Sequence, residues 1–173
     1  MSSAALPGRR LRFPRWQEFG GSATTVRRFL NVWPPFAFTG VRVEHLSDDF
    51  REARVRLGFS PLHRNYVGTQ FGGSLFAMTD PFWMVMVLRN LGDRDYVVWD
   101  KAAEIEFVTP GRSAVTAEFV VTDAVLEELR AETAEKGKTL RWFETEVRGA
   151  DGTLVARVRK QLYVRRKVTA PAV

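Results

Sequence analysis

The sequence predicts an α+β fold in which one curled antiparallel sheet of about six strands surrounds a single long buried helix. The first indication is the stretch 74–91, where only five side chains are polar and the apolar residues do not alternate. Such a run is typical of a helix that is buried on nearly all sides. The second indication is a set of six segments with apolar residues at alternate positions. These predict strands with one apolar face, which can cover the helix, and one wet face.

Before the buried helix, the chain is expected to form a basic segment, a short helix and two strands. Ser22 is a candidate N-cap of the short helix, and Pro34-Pro35 is a candidate end. We therefore divide the chain into residues 1–35, with the basic segment and short helix, and residues 36–168, which form the main domain. The first fifteen residues are expected to be irregular and loosely held.

The strands follow from the alternation and from two turns. The six predicted strands are residues 36–46, 51–57, 96–109, 112–121, 140–148 and 154–164. The turns at Pro110-Gly111 and Ala150-Asp151-Gly152 favour antiparallel neighbours. In the last strand, Lys160 interrupts an otherwise apolar face.

The helices have recognisable ends. Gly92 follows the long helix and Gly137 follows a second, polar helix, and glycine is the usual residue just after a helix C-terminus. Thr122 or Asp123 can cap the polar helix at its start. Pro81 lies inside the long helix and is expected to kink it, at a cost of about 3 kcal/mol in an ordinary helix.

The composition excludes several kinds of site. The chain has no cysteine, so disulfides, thiolate metal sites and cysteine nucleophiles are excluded. His45 and His63 are the only histidines, too few for a zinc-binding cluster. We therefore predict no metal and no cofactor. The net charge of +6 and the pI of about 10.2 favour an anionic partner, such as nucleic acid, acidic lipid or a phosphorylated ligand, or else reflect a solvated basic rim.

The same apolar stretch raises the question of a membrane span. Asp80 near its middle would cost about 2.5–3.5 kcal/mol there, and the run is barely long enough to cross a bilayer. We therefore expect no transmembrane segment. The basic N-terminus is not followed by an apolar segment, so we expect no secretory signal and a cytoplasmic protein.

A sixteen-residue stretch at the start of the buried helix resembles the motif of a known family. It reads Asn65-x-x-Gly68-Thr69-x-x-Gly72-Gly73-x-Leu75-Phe76-x-Met78-x-Asp80. The pattern is similar to that of the hotdog-fold thioesterases, in particular the phenylacetyl-CoA type. Within that superfamily it is most similar to an uncharacterised branch of hotdog domains in which Asp-Pro follows the glycine pair. The resemblance implies a hotdog fold, an acyl-CoA or related thioester as substrate, and a homodimer or dimer of dimers with its sites at the dimer interface.

One residue departs from the family pattern. The thioesterase motif usually has a histidine before the glycine pair, and this chain has Phe71 there. Asn65 and Gln70 are polar residues that can supply some of the missing polarity. Two functions therefore stay open, hydrolysis of the thioester and non-catalytic binding of an acyl group or lipid.

The candidate catalytic residues are Asp80, Gly72 and Asn65. A carboxylate in an apolar helix needs a partner, a cavity or a proton, which makes Asp80 a candidate general base or nucleophile. Gly72 begins the helix, where N–H groups lack intrahelical acceptors and can polarise a thioester carbonyl. Asn65 is expected to position substrate or water. The alternative interpretations are that the glycines only permit close packing, and that Asp80 forms a structural ion pair with Lys101.

The other predicted substrate contacts belong to the motif loop or are cationic: Gly68, Thr69, Gln70, Phe71, Gly73, Lys101, Arg157 and Arg159. Arg157 and Arg159 are expected to bind the phosphates of CoA. Nucleic-acid binding is the third function considered, and the absence of a groove-reading motif or exposed aromatic platform in the sequence disfavours it.

The spacing of the candidate residues predicts a shared site. Gly72 and Asp80 are eight residues apart, which is about 12 Å along a straight helix. A carbonyl donor and a base must both lie within about 3 Å of one reacting group. We therefore predict that Gly72 of one chain and Asp80 of another form each site.

Overall fold

The computed structural model describes residues 21–167 of the chain. Its helices are α1 (Ala23–Val32), α2 (Pro34–Ala37), α3 (Gly72–Ala77), α4 (Phe82–Leu91) and α5 (Asp123–Lys136). Its strands are β1 (Val41–Leu46), β2 (Glu52–Leu57), β3 (Tyr96–Phe107), β4 (Val115–Val120), β5 (Lys138–Gly149) and β6 (Leu154–Arg166). The predicted basic segment with Arg9, Arg10, Arg12 and Arg15 lies outside the described residues.

The six strands form one antiparallel sheet in the order β1-β2-β4-β5-β6-β3. Its inner face is continuous across the strands: Val55 pairs with Ala117, which pairs with Val147, and all three are almost fully buried. This confirms the predicted α+β fold with one apolar sheet face. β1 and β3 are the edge strands.

The core is built where α4 packs on the inner face of the sheet. Phe82 and Trp83 of α4 both lie with their ring centroids 4.8 Å from that of Phe119 on β4. Met86 and Val87 are completely buried. Such aromatic pairs add specific ring contacts to the burial of apolar surface, so α4 is the helix that the sheet covers.

The edge strand β1 is covered by α1. The Asn31 side chain donates to the carbonyl of Val43 at 3.1 Å and accepts from its N–H at 2.7 Å. An uncovered edge strand exposes unpaired backbone groups, and Asn31 satisfies both groups of this residue. Ala23, Val26 and Leu30 form the buried side of the helix.

Several predicted helix ends are confirmed. The Ser22 hydroxyl accepts from the N–H of Thr25, and the Thr122 hydroxyl caps α5. Gly92 and Gly137 follow α4 and α5 with φ of 98° and 74°, a region that glycine enters without a steric penalty.

The region around Pro34-Pro35 differs in part from the prediction. α1 ends at Val32, just before Pro34-Pro35, as predicted. The two prolines also begin the short helix α2, which was not predicted, because proline fits the first positions of a helix, where no N–H is needed. Phe36 is therefore helical and buried, and β1 begins at Val41 rather than at residue 36.

The predicted kink at Pro81 is a complete break between α3 and α4. Before the break, the N–H groups of Thr79 and Asp80 donate to the carbonyls of Phe76 and Ala77 in tight turns. After it, α4 begins with the N–H of Val85 donating to the carbonyl of Pro81. Because proline has no N–H, the helical ladder cannot run through this position.

A bulge in β3 changes which residues face the core. The pairing with β6 jumps from Asp100 opposite Leu162 to Ala102 opposite Gln161, so Lys101 is an extra residue. A single alternation continued along residues 96–109 predicts Val97 and Trp99 on the inner face together with Lys101 and Ile105. This prediction is wrong for Val97, Trp99 and Lys101, because a bulge exchanges inner and outer positions beyond it. Trp99 points outward and is 44% exposed.

Candidate functional site

The buried cation of the site is Lys160, not Lys101. The Lys160 side chain points inward from β6, is 2% exposed, and its Nζ donates to Asp80 Oδ2 at 2.7 Å. A second carboxylate, Asp100 on β3, lies 3.5 Å from the same Nζ. The predicted partner Lys101 is exposed because the β3 bulge turns it out of the inner face.

The sequence signal for Lys160 was its interruption of the apolar face of β6. A buried charge is tolerated in a protein only when it is paired or hydrogen-bonded, so a lysine at an inward position requires an acid nearby. Lys160 also lies over the ring of Phe76 on α3, with 5.4 Å between Nζ and the ring centroid. The cation therefore ties β6 to α3 and to the break that follows it.

Asp100 is the more buried of the two acids. Burial raises the pKa of the Asp100 carboxyl above its ordinary value, the attraction of Lys160 opposes this shift, and the charge of Asp80 adds to it. Its Oδ1 atom is buried and has no hydrogen-bond partner among the described residues. Both facts favour the protonated form of this side chain in the fold.

One oxygen of the Asp80 carboxylate is hydrogen-bonded, while about half of the side chain stays exposed to solvent. Its Oδ2 accepts from Lys160, yet 49% of the side chain stays exposed. The break between the helices presents this carboxylate at the end of α3, where it is not enclosed by a helical turn. A carboxylate that is fixed on one side and open on the other can accept a proton from a bound water.

A cleft of about 330 Å³ lies at the other end of α3. Its lining comes from the motif loop, the start of α3 and the segment after β3: Asn65, Thr69, Gln70, Gly72, Leu75, Phe107, Thr109, Pro110 and Gly111. Four of the predicted site residues are therefore brought together here: Asn65, Thr69, Gln70 and Gly72. Asp80 is not among the lining residues.

Asn65 shapes the loop that forms one wall of this cleft. Its Oδ1 accepts from the N–H groups of Val67 and Thr69, and its Nδ2 donates to the Thr69 hydroxyl and the carbonyl of Gln70. Gly68 at the tip of the loop has φ of 76°, a conformation that favours glycine. Both polar atoms of the Asn65 side chain form hydrogen bonds within the loop. Asn65 therefore has little remaining hydrogen-bonding capacity for substrate or water.

Gln70 fixes the loop to the sheet. It is 3% exposed, and its amide nitrogen donates to the carbonyls of Gly58 and Ser113, both at 3.0 Å. Its backbone N–H donates to the carbonyl of Gly111 at 2.8 Å. The side-chain oxygen is buried without a hydrogen-bond partner among the described residues. Gln70 therefore lines the cleft in a fixed position, held by its hydrogen bonds to the sheet.

The glycine pair allows two aromatic rings to approach the start of α3. A methyl group on Gly72 would lie 2.9 Å from the ring of Phe107, and one on Gly73 would lie 2.5 Å from the ring of Phe71. The first hydrogen bonds of the helix are donated by Ser74 and later residues, so the N–H groups of both glycines precede the ladder. This arrangement fits both readings of the glycines, as donors and as packing residues.

Arg157 and Arg159 lie on the opposite, outer face of the sheet. Arg159 pairs with Glu104 at 3.0 Å and with Glu144 at 2.8 Å. Arg157 is likewise placed between two glutamates of the neighbouring strands. They line a wide outer groove of about 1090 Å³ rather than the cleft at α3. The neighbouring glutamates neutralise the charges of both arginines. This disfavours the predicted contact with CoA phosphates.

Solved structures with the same fold include thioesterases. A Pseudomonas aeruginosa protein of unknown function, described as a probable thioesterase, is 19% identical, with a TM-score of 0.74 over 83% of this chain and 95% of that chain. A thioesterase from Haemophilus influenzae is 12% identical, with a TM-score of 0.61 over 88% of this chain and 96% of that chain. A mutant thioesterase from Pseudomonas aeruginosa is also 12% identical, with a TM-score of 0.63 over 86% of this chain and 96% of that chain.

In the part of the chain that the structure describes, no helix is long and apolar enough to cross a membrane.

The sequence comparisons give the family. None of the curated proteins matches the chain. The family model described as a domain of unknown function, DUF4442, matches residues 21–164, which is most of the sequence. The chain therefore belongs to the DUF4442 family, and it has the hotdog fold that the sequence motif predicted.

Proposed function

We propose that this protein is a thioesterase-like enzyme that binds an acyl-CoA or related thioester and hydrolyses it, with Asp80 as the general base. The observation that carries the proposal is the Asp80 carboxylate, half exposed at the end of α3 and held through one oxygen by the buried Lys160. The fold shared with thioesterases supports the substrate class.

The proposed reaction uses the two ends of α3. Asp80 accepts a proton from a water molecule, whose oxygen attacks the thioester carbonyl carbon. The negative charge that develops on the carbonyl oxygen is stabilised by the N–H of Gly72 at the helix start. When the tetrahedral intermediate collapses, the C–S bond breaks and the thiolate takes up the proton from Asp80. Lys160 does not react; it orients the carboxylate. Direct attack by Asp80 as a nucleophile is the other route open to the same residue.

The distance between these ends supports a site shared by two chains. α3 has six residues, so it separates Gly72 from the start of the break by about 9 Å. The surface around the cleft is apolar and open, with Phe71 and Phe107 both more than half exposed beside the edge strand β3. A second copy placed across a two-fold axis would cover these rings and bring its own Asp80 to the cleft.

Phe71 favours a second candidate function, non-catalytic binding of an acyl group. Its ring lies against Gly73, where the thioesterase motif has a histidine. An apolar ring at this position contributes contact area for an acyl chain but no proton transfer. In this alternative Asp80 and Lys160 form a structural ion pair.

Hydrolysis of a panel of acyl-CoAs of different chain length separates the two functions. We expect Asp80→Asn to lower turnover by at least about a hundredfold, the usual scale for a general base. The exposed loop acid Asp48 provides a matched control, since Asp48→Asn makes the same chemical change outside the site. Unchanged turnover in Asp80→Asn would refute the catalytic role. If the wild type binds the thioesters but hydrolyses none, the acyl-binding function replaces the enzymatic one.

Mixing two inactive variants tests the shared site. Asp80→Asn removes the base, and Gly72→Pro removes the N–H that polarises the carbonyl, so each variant alone should be inactive. In mixed dimers, one native site can form from the intact Gly72 of one chain and the intact Asp80 of the other. Recovered activity supports the shared site. No recovery, with subunit exchange confirmed by labelled chains, would place each site within one chain.

A further inference from the structure

An aromatic cluster lies exposed on the outer face of the sheet, away from the cleft at α3. Leu140 on β5, Tyr163 on β6 and Trp99 on β3 form one row across the three strands, as the pairing of these residues requires. Leu140 is 51% exposed and Trp99 is 44% exposed. Trp142 lies in the adjacent row on β5, opposite Gln161. We call Trp99, Leu140, Trp142 and Tyr163 the aromatic patch.

The border of the aromatic patch is cationic. On one side, Lys138 pairs with Arg165 in the next row of β5 and β6, and on the other Lys101 is turned outward by the β3 bulge. All three are exposed, and none forms an ion pair with a described residue. None of the outward residues assigned to these three rows in the described sheet is acidic.

The rest of the same face is built differently. In the outward row next to Trp142, Arg159 is held between Glu144 and Glu104, so its charge is neutralised. On the outer face of β3, β5 and β6, the described cations without an ion pair thus lie around the exposed apolar side chains. Tryptophan and tyrosine are favoured at the boundary between apolar and aqueous phases, and neighbouring lysine and arginine attract anionic headgroups.

We propose that the aromatic patch and its three cations bind the surface of an anionic lipid membrane. Leu140 and the indole of Trp99 enter the headgroup region, while Lys101, Lys138 and Arg165 contact lipid phosphates or carboxylates. The contact is peripheral, because the patch is one face of a sheet whose other face is the protein core. This role is independent of the proposed hydrolysis at Asp80.

The geometry of the rings favours lipid over single-stranded nucleic acid, which is also anionic. Binding of bases depends on free ring faces on which they can stack. Trp99 and Tyr163 are instead stacked on each other, with centroids 4.2 Å apart and an angle of 15° between the planes. The Trp142 ring is covered by the guanidinium of Arg159 at 4.8 Å. Leu140 offers apolar surface but no stacking.

Co-sedimentation of the full chain with vesicles tests the proposal. We expect binding to vesicles of phosphatidylcholine mixed with phosphatidylserine, much weaker binding to phosphatidylcholine alone, and release by added salt. Lys138→Glu changes the charge of the patch by two units and should lower the partition coefficient by about thirtyfold, since each unit of charge near an anionic surface contributes a factor of about five. Arg42→Glu on the opposite edge strand β1 is the matched charge control and should have little effect. Leu140→Ser should also weaken binding, whereas Leu62→Ser, in the short 3-10 helix Pro61–His63 and 91% exposed, should not.

Three results would overturn this inference. The first is that the wild type does not bind the anionic vesicles. The second is that Arg42→Glu weakens binding as much as Lys138→Glu, which would mean that net charge alone is responsible. The third is that the patch variants leave lipid binding intact but change the sedimentation coefficient or weaken binding of a single-stranded oligonucleotide, which would assign the patch to a second copy or to nucleic acid. Unchanged circular dichroism spectra establish that the variants are folded.

Discussion

Replacing Lys160 by methionine should destabilise the protein more than any other single lysine substitution in the sheet. Methionine keeps most of the apolar stem but removes the ammonium group that lies 2.7 Å from Asp80 and 3.5 Å from Asp100. Removing one partner of a fully buried ion pair costs about 3–5 kcal/mol, because the remaining charge is left uncompensated. Asp80 is 49% exposed and can be solvated again, so we expect a loss of about 2–3 kcal/mol in the free energy of unfolding. For a chain of this size that corresponds to a decrease in Tm of roughly 4–12 °C.

Urea unfolding followed by circular dichroism measures this free energy, and Lys101→Met is the matched control. Lys101 is exposed at the β3 bulge, so its replacement should change stability by no more than about 0.5 kcal/mol. Combining Lys160→Met with Asp80→Asn and Asp100→Asn should restore part of the loss, because the uncompensated charges are then gone. The reasoning is refuted if Lys160→Met is as stable as the wild type, or if Lys101→Met is equally destabilised.

Three further substitutions test other parts of the site. Burial raises the pKa of Asp100 above its ordinary value of 3.8, so its protonated form stabilises the fold at low pH, and this contribution is lost as the pH rises through the raised pKa. Asp100→Asn cannot lose a proton, so the Tm of the wild type relative to this variant should be higher near pH 4 than near pH 7; a difference that is independent of pH would contradict the shift. A methyl group on Gly111 would lie 2.8 Å from Cγ of the buried Gln70, so Gly111→Ala should cost about 1–3 kcal/mol by overpacking. Gly72→Ala should cost less, because the exposed Phe107 ring can move away, and equal losses in the two variants would show that the rings around the cleft are rigid.

The order of strands and helices was predictable because the signals for it are local. Alternation of apolar residues marks a strand wherever its neighbours lie, and a threonine or glycine at a helix end acts within one turn. Thr122 and Gly92 were identified correctly for this reason. Whether Asn65 is free to bind substrate could not be predicted in the same way. Its side chain forms four hydrogen bonds within the loop, and these depend on how the loop folds back on itself.

The partner of Asp80 was not predictable from alternation in β3. A bulge adds one residue and exchanges inner and outer positions beyond it, so Lys101 was assigned to the inner face although it is exposed. The apolar series of β6 contained the better signal, since Lys160 interrupts it at a position that no bulge displaces. A lysine at an inward position of a regular strand is therefore stronger evidence for a buried ion pair than a lysine on a strand whose register is uncertain.

The break between α3 and α4 divides the central segment into two units that can open separately. α4 has five buried residues among its ten, whereas α3 has two among its six. No continuous ladder of helical hydrogen bonds crosses Pro81, so loss of structure in α3 is not transmitted along a helix into α4. Amide hydrogens of α4 should then exchange with solvent only on global unfolding, and those of α3 through local opening at a lower free energy. In the proposed function, a thioester would thus enter beside the glycine pair through a fluctuation of α3 while the aromatic core around Trp83 stays closed.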